Sequence, residues 1–251
     1  MMAELMKKNE IFEHYSHILD RMIENSTFFP YYFQYPQSTD DIFGSNDGCM
    51  ADNINIYFGA ERGCIVDFNY DYVVKFDLVD TIRGISACQK EIEIYEMACA
   101  EHYEHFFAQP TYVGTYRKEI VGCPHIVCDE FIPEWFTRRD FESKFMANDE
   151  VLFEHNTKLT IQIPLYAYPF AQCYTSTQSS EEIREIAFAS SSPLADNNID
   201  IAMSFIEEYG VEEYYDFSNF LNENGINDIH FANCGRIDGA LCITDYAGFL
   251  T

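Results

Sequence analysis

Asn227-Asp228-Ile229-His230-Phe231-Ala232-Asn233-Cys234-Gly235-Arg236-Ile237-Asp238-Gly239-Ala240-Leu241-Cys242-Ile243-Thr244-Asp245 lies near the end of the 251-residue chain, and the fold class follows from it. An Asp and an Asn share one short polar loop, two apolar runs divided by Asp238-Gly239 come next, and a second Asp closes the stretch. Asp-Gly between β-forming runs signals a hairpin. Phosphoryl transfer needs a carboxylate beside the attacking hydroxyl and oxygen ligands that hold Mg²⁺ against the ATP phosphates. A loop carrying Asp and Asn, followed by a hairpin and another Asp, can supply all of these.

Upstream, the hydrophobic period changes from segment to segment. Residues 9–25 place Ile11, Tyr15, Ile18 and Met22 on one stripe with Phe12 and Leu19 beside it, which predicts an amphipathic helix. The Pro-broken aromatic stretch from Phe28 to Pro36 predicts a segment packed across its own domain, with no chemistry assigned to it. From 53 to 80 the pattern is β-rich, with runs at 54–58, 64–68 and 72–76 separated by turns. A helix is expected from Ile85 to Tyr103, then strands at 111–117 and 124–131. The order is strand, strand, strand, helix, strand, strand. After Pro133 the expectation is mainly helical, with helices from Phe141 to Phe153, Glu181 to Ala189 and Ile199 to Leu221 and a loop at Ser190-Ser191-Ser192-Pro193. The tail, 226–249, returns to short strands. The predicted organisation is an α+β fold: an N-terminal helix and aromatic strap (1–50), a sheet-bearing lobe (51–133) and a short, mainly helical lobe with the polar loops (134–251).

The run from the Asp-x-His-x-x-Asn loop through Arg-x-Asp-Gly to Ile-Thr-Asp resembles that of protein-kinase-like phosphotransferases, and among them the serine/threonine protein kinases encoded by T7-like phages. The resemblance implies a bilobal fold that places ATP and Mg²⁺ between an N-terminal antiparallel β-sheet lobe and a helical C-terminal lobe. It implies Asp228 as catalytic base, Asn233 as a Mg²⁺ ligand and Asp245 as the principal Mg²⁺ ligand. Val73-Val74-Lys75 resembles the third-strand Lys that contacts the α- and β-phosphates. Glu91 or Glu93 in the next helix would pair with Lys75, because a lone ammonium on a flexible stem is poorly aimed until a carboxylate fixes it. The segment from Ile126 to Pro133 resembles the hinge strand, whose backbone around Glu130 and Ile132 would hydrogen-bond adenine.

Three features depart from that pattern. The segment Gly59-Ala60-Glu61-Arg62-Gly63, where the glycine-rich phosphate loop is expected, offers only Gly59 and Gly63 and puts Glu61 near phosphate. Ile226 stands where a His is usual two residues before the base. Thr251 follows Asp245 closely, so no activation segment is expected within this sequence; either the sequence is truncated there or the helices between 136 and 225 take over substrate docking.

A hydrophobic fraction of 47%, with 22 Phe and 18 Tyr, predicts an aromatic core, and no apolar run approaches the ~18 residues of a membrane helix. The N-terminus has no secretory apolar core, so the expected location is cytoplasmic. Nine cysteines without a CxxC pair predict reduced thiols. The pairs His14/His17 and His102/His105 have no third ligand nearby in sequence and predict no metal site. A net charge of −27 opposes binding to nucleic-acid phosphates and leaves two readings, simple solubility and attraction of basic partners. Residues 140–251 hold 4 Lys+Arg against 19 Asp+Glu, with Glu207, Glu208, Glu212, Glu213 and Asp216 recurring on one predicted helix. The expected function is therefore an ATP- and Mg²⁺-dependent kinase acting on Ser/Thr hydroxyls of a protein substrate with a basic docking segment. Two rivals stand beside it: a small-molecule phosphotransferase of the aminoglycoside-kinase kind, and a pseudokinase-like acidic protein that blocks a basic partner.

Overall fold

The stripe Ile11, Tyr15, Ile18 and Leu19 is buried along helix α1 (Met2–Asn25), at about 1.5–3 kcal/mol per side chain removed from water. The structure is a computed structural model and describes residues 2–25, 53–58, 62–77, 86–121, 146–147, 150–151, 158–175 and 179–247. The chain divides into two units, Met1–Ser86 with Thr111–Ala167, and Ala87–Pro110 with Tyr168–Thr251. No described helix is long and apolar enough to cross a membrane.

In the first unit, β1 (Ile54–Phe58), β2 (Arg62–Asp67), β3 (Tyr72–Asp77), β4 (Thr111–Val121) and β7 (Lys158–Pro169) form one sheet in the order β1-β2-β3-β7-β4. The pairs β1–β2, β2–β3 and β4–β7 are antiparallel. Alternation along β3 turns Val74 and Phe76 into the core shared with α1, where Ile54, Ile65, Ile163 and Leu165 also pack, and leaves Lys75 on the opposite face. Polar contacts fix α1 as well. The Tyr15 hydroxyl donates to the Tyr72 carbonyl at 2.8 Å, Tyr116 and Lys118 donate to Asp20 Oδ1 at 2.7 and 2.8 Å, and His14 Nε2 lies 2.9 Å from Asp67 Oδ2. At the β4 irregularity a Cβ on Gly114 would stand 2.5 Å from the Phe12 ring, so glycine lets α1 approach the sheet. A separate two-stranded hairpin joins β5 (Met146–Ala147) to β6 (Glu150–Val151).

The second unit packs α2 (Ala87–Glu101), α3 (Glu181–Ala189), α4 (Pro193–Asn197), α5 (Ile199–Tyr209) and α6 (Val211–Glu223) with a small sheet. That sheet is ordered β10-β9-β8, from β8 (Gln172–Cys173), β9 (Cys234–Ile237) and β10 (Ala240–Ile243). Its core is aromatic: Phe106 stacks on Phe217 at 4.0 Å between centroids, and Phe205, Tyr209 and Phe220 surround them. Ser180, Ser192 and Asn198 cap α3, α4 and α5 by accepting backbone N–H bonds.

The expected strands at 54–58, 64–68 and 72–76 and the helices at 85–103 and 181–189 are present, shifted by a few residues at most. Three expectations are corrected. The helix expected from Phe141 to Phe153 gives way, at its described residues, to the β5–β6 hairpin. A chain expected to be mainly helical after Pro133 instead contributes β7 to the sheet, because Leu159, Ile161, Ile163, Leu165 and Ala167 alternate with period two. The helix expected over 199–221 is two, divided at Gly210, whose φ of 90° no helix accommodates. Between α3 and α5, α4 occupies part of the expected serine loop, since Ser192 with Pro193 behind it is a helix start. The aromatic strap, the 124–131 strand and the expected 133/134 boundary lie outside the described residues.

Candidate functional site

The β9–β10 hairpin is held to α5 before it holds anything else. Glu208 accepts from the Leu241 N–H and from Arg236 Nη1, both at 2.7 Å, and the Tyr209 hydroxyl donates to the Leu241 carbonyl at 2.6 Å. At the turn, Asp238 (φ 52°) and Gly239 (φ 89°) both take left-handed conformations, as a two-residue turn matched to strand twist requires. Arg236 Nη1 also donates to the Gly239 carbonyl at 2.6 Å. The start of β10 is therefore fixed against α5, and Thr244-Asp245 follow at the strand's other end.

There the hairpin meets the polar loop. The Asn233 carbonyl accepts from the Thr244 N–H at 2.7 Å and from the Asp245 N–H at 3.4 Å. Asn233 Nδ2 donates to the Asp228 carbonyl at 2.8 Å, and the Asn233 N–H donates to the His230 carbonyl at 2.8 Å. Asp228, Asn233 and Asp245, chosen from sequence spacing, thus belong to one hydrogen-bonded assembly. With Nδ2 engaged, the Asn233 side chain offers Oδ1 as its ligand atom. That oxygen and the Asp245 carboxylate are both hard donors of the kind Mg²⁺ takes. Among the described residues no cluster of three or more His, Cys, Asp or Glu gathers for a metal. His14 is instead engaged with Asp67, and His105 stands 3.8 Å from Glu213.

Glu91 is fully buried on α2, whereas Glu93 is exposed. Glu91 Oε1 accepts from the Tyr246 N–H at 3.0 Å and Oε2 from the Tyr168 hydroxyl at 2.5 Å. It therefore grips the backbone immediately after Asp245. Burial first, then the neighbouring Glu91 carboxylate, pushes the Tyr168 hydroxyl well above the ordinary tyrosine value, so it stays a donor. The Tyr246 hydroxyl in turn donates to the Ala108 carbonyl at 2.9 Å. Tyr168 was missed from sequence; it follows the period-two run of β7 that ends at Ala167 and lies in the opposite phase.

Lys75 sits in the first unit at 7% exposure, in register with Cys64. Both edges of its strand are occupied, by β2 and by β7. Gly63 lies inside β2 opposite Phe76, and a Cβ there would stand 2.4 Å from the Phe76 ring, so packing already accounts for the missing side chain. Gly59, Glu130 and Ile132 lie outside the described residues. No family model, curated protein or solved structure matches the chain.

Proposed function

We propose that the protein is an ATP- and Mg²⁺-dependent phosphotransferase with a protein-kinase-like bilobal arrangement, acting on Ser/Thr hydroxyls of a protein substrate. The observation that carries this is the Asn233 carbonyl, which ties the Asp228 loop to the Thr244-Asp245 backbone. The residues that would serve as base and as two oxygen ligands lie on short segments joined by these hydrogen bonds. Asn233 Oδ1 and the Asp245 carboxylate would hold Mg²⁺, which neutralises charge on the β- and γ-phosphates. Lys75, largely buried on β3 and matching the third-strand Lys of the resemblance, would take the α- and β-phosphates. In the transfer, the acceptor oxygen bonds to the γ-phosphorus, the bridging P–O bond to ADP breaks, and the hydroxyl proton goes to the Asp228 carboxylate. The adenine contacts expected near Glu130 and Ile132 have a second candidate in the backbone at the end of β7, the described strand that borders the strand of Lys75 and then leaves the first unit.

One observation favours the pseudokinase-like acidic binder instead. Gly63 serves Phe76, which leaves little of a glycine loop for phosphate. The deciding experiment incubates purified protein with γ-labelled ATP and Mg²⁺ in a bacterial lysate, beside Asp228→Ala and Asp245→Asn. Label transferred by the wild type and by neither variant supports the phosphotransferase. No transfer, with a melting curve that ignores MgATP, passes the case to the acidic binder.

A further inference from the structure

We propose that His230 is a positioning residue that aims the Asp228 carboxylate, a role that rests on the phosphotransferase reading. His230 Nδ1 accepts from the Ala232 N–H at 3.3 Å, closing the 3-10 turn Phe231–Asn233. A neutral imidazole carries one ring proton, so an acceptor at Nδ1 places that proton on Nε2. Nε2 stands 3.8 Å from Asp228 Oδ1. This exceeds a hydrogen bond, yet a bridging water, with two bonds of about 2.8 Å meeting near the tetrahedral angle, would need about 4.5 Å. The protonated edge of the ring therefore faces the carboxylate directly, and a small side-chain rotation closes the contact.

The backbone at both ends of this contact is already fixed. Asn233 Nδ2 holds the Asp228 carbonyl and the Asn233 N–H holds the His230 carbonyl, each at 2.8 Å. What remains adjustable is the carboxylate torsion of Asp228. A donor drawn to Oδ1 sets that torsion and leaves Oδ2 for the hydroxyl proton. The site residues already described do not include this function, although the His belongs to the same loop.

The two ring nitrogens separate aiming from turn closure. His230→Asn retains an acceptor near Nδ1 without a donor near Asp228, and His230→Gln retains a donor near Nε2 without the cap. Initial rates of label transfer from γ-labelled MgATP to lysate proteins, together with KM for ATP, are measured for wild type, both variants and His230→Ala. Aiming predicts that His230→Gln keeps most of the rate, while His230→Asn and His230→Ala lose about tenfold with KM for ATP unchanged, since misorientation acts on the chemical step. Nitrogen NMR of the neutral ring is expected to show the proton on Nε2. A wild-type rate in His230→Asn with loss in His230→Gln, or a proton on Nδ1, overturns the aiming role and leaves the phosphotransferase standing. A wild type that transfers no label removes the phosphotransferase and the aiming role together.

Discussion

A carboxylate with no exposed surface, Glu91, satisfies a buried hydroxyl and a buried backbone amide at once. Its truncation strands both donors, so Glu91→Ala is expected to lose about 2–4 kcal/mol in a urea melt. Asp228→Ala, at a loop side chain 29% exposed, is expected to stay within about 1 kcal/mol of wild type while phosphate transfer falls about 10²–10⁴-fold. Burial pushes the thiols of Cys234 and Cys242 up to about 12, well above the ordinary thiol range. The folded protein then keeps protons that the unfolded chain gives up, so this contribution is whole below about pH 8.5 and is lost as pH climbs toward 12. Urea melts at about pH 7.5 and 10 should show that loss, at most ~1.4 kcal/mol per pH unit per thiol, and Cys234→Val should flatten it. That Asp228, Asn233 and Asp245 share one hydrogen-bonded assembly was legible in sequence because one loop and one hairpin set their spacing. Glu91 could not be told from Glu93, because its partners lie 77 and 155 residues away.

At the scale of elements, the strands of β1 to β4 were legible and that of β7 was not. The runs in β1, β2 and β3 are separated by short turns, and each pairs with the next in sequence. β7 pairs with β4 and borders β3, and an expectation of helices after Pro133 hid its alternation. The hairpin that carries Asp245 was legible from Asp238-Gly239, although its attachment to Glu208 was not, since nothing in Glu207-Glu208 marks which carboxylate turns inward. Gly63 admits a direct test. Gly63→Ala forces the Phe76 ring to move and should cost about 1–3 kcal/mol. Adding Phe76→Leu should recover part of that loss, a coupling read from a double-mutant cycle of urea melts. Additive losses, with MgATP binding abolished by Gly63→Ala alone, would return Gly63 to the phosphate loop.

For the whole molecule, MgATP at about 100 times its Kd should stabilise the protein by roughly 2.7 kcal/mol, and Asp245→Asn should remove most of the shift in Tm. The net charge of −27 predicts fast capture of a basic protein segment, weakening as ionic strength rises from ~50 to ~300 mM and the Debye length shrinks from roughly 14 to 6 Å. The acidic run on α5 and α6 does not act uniformly. Glu208 is committed to Arg236 and the Leu241 amide, so charge reversal at exposed Glu207, Glu212 and Asp216 should slow association with a basic peptide while sparing MgATP binding. An on-rate indifferent to salt and to these three changes would make the charge a solubility device. Each unit is also assembled from two separate stretches of chain. A ribosome delivers the N-terminal helix and three strands well before β7, and α2 well before α5 and α6. Neither unit can finish until late in synthesis, and the open edge of β3 must wait, unpaired, for a strand roughly 80 residues behind it. Slow elongation or early termination in that interval exposes a β-edge, so chaperone dependence should be concentrated in nascent chains that end before Lys158.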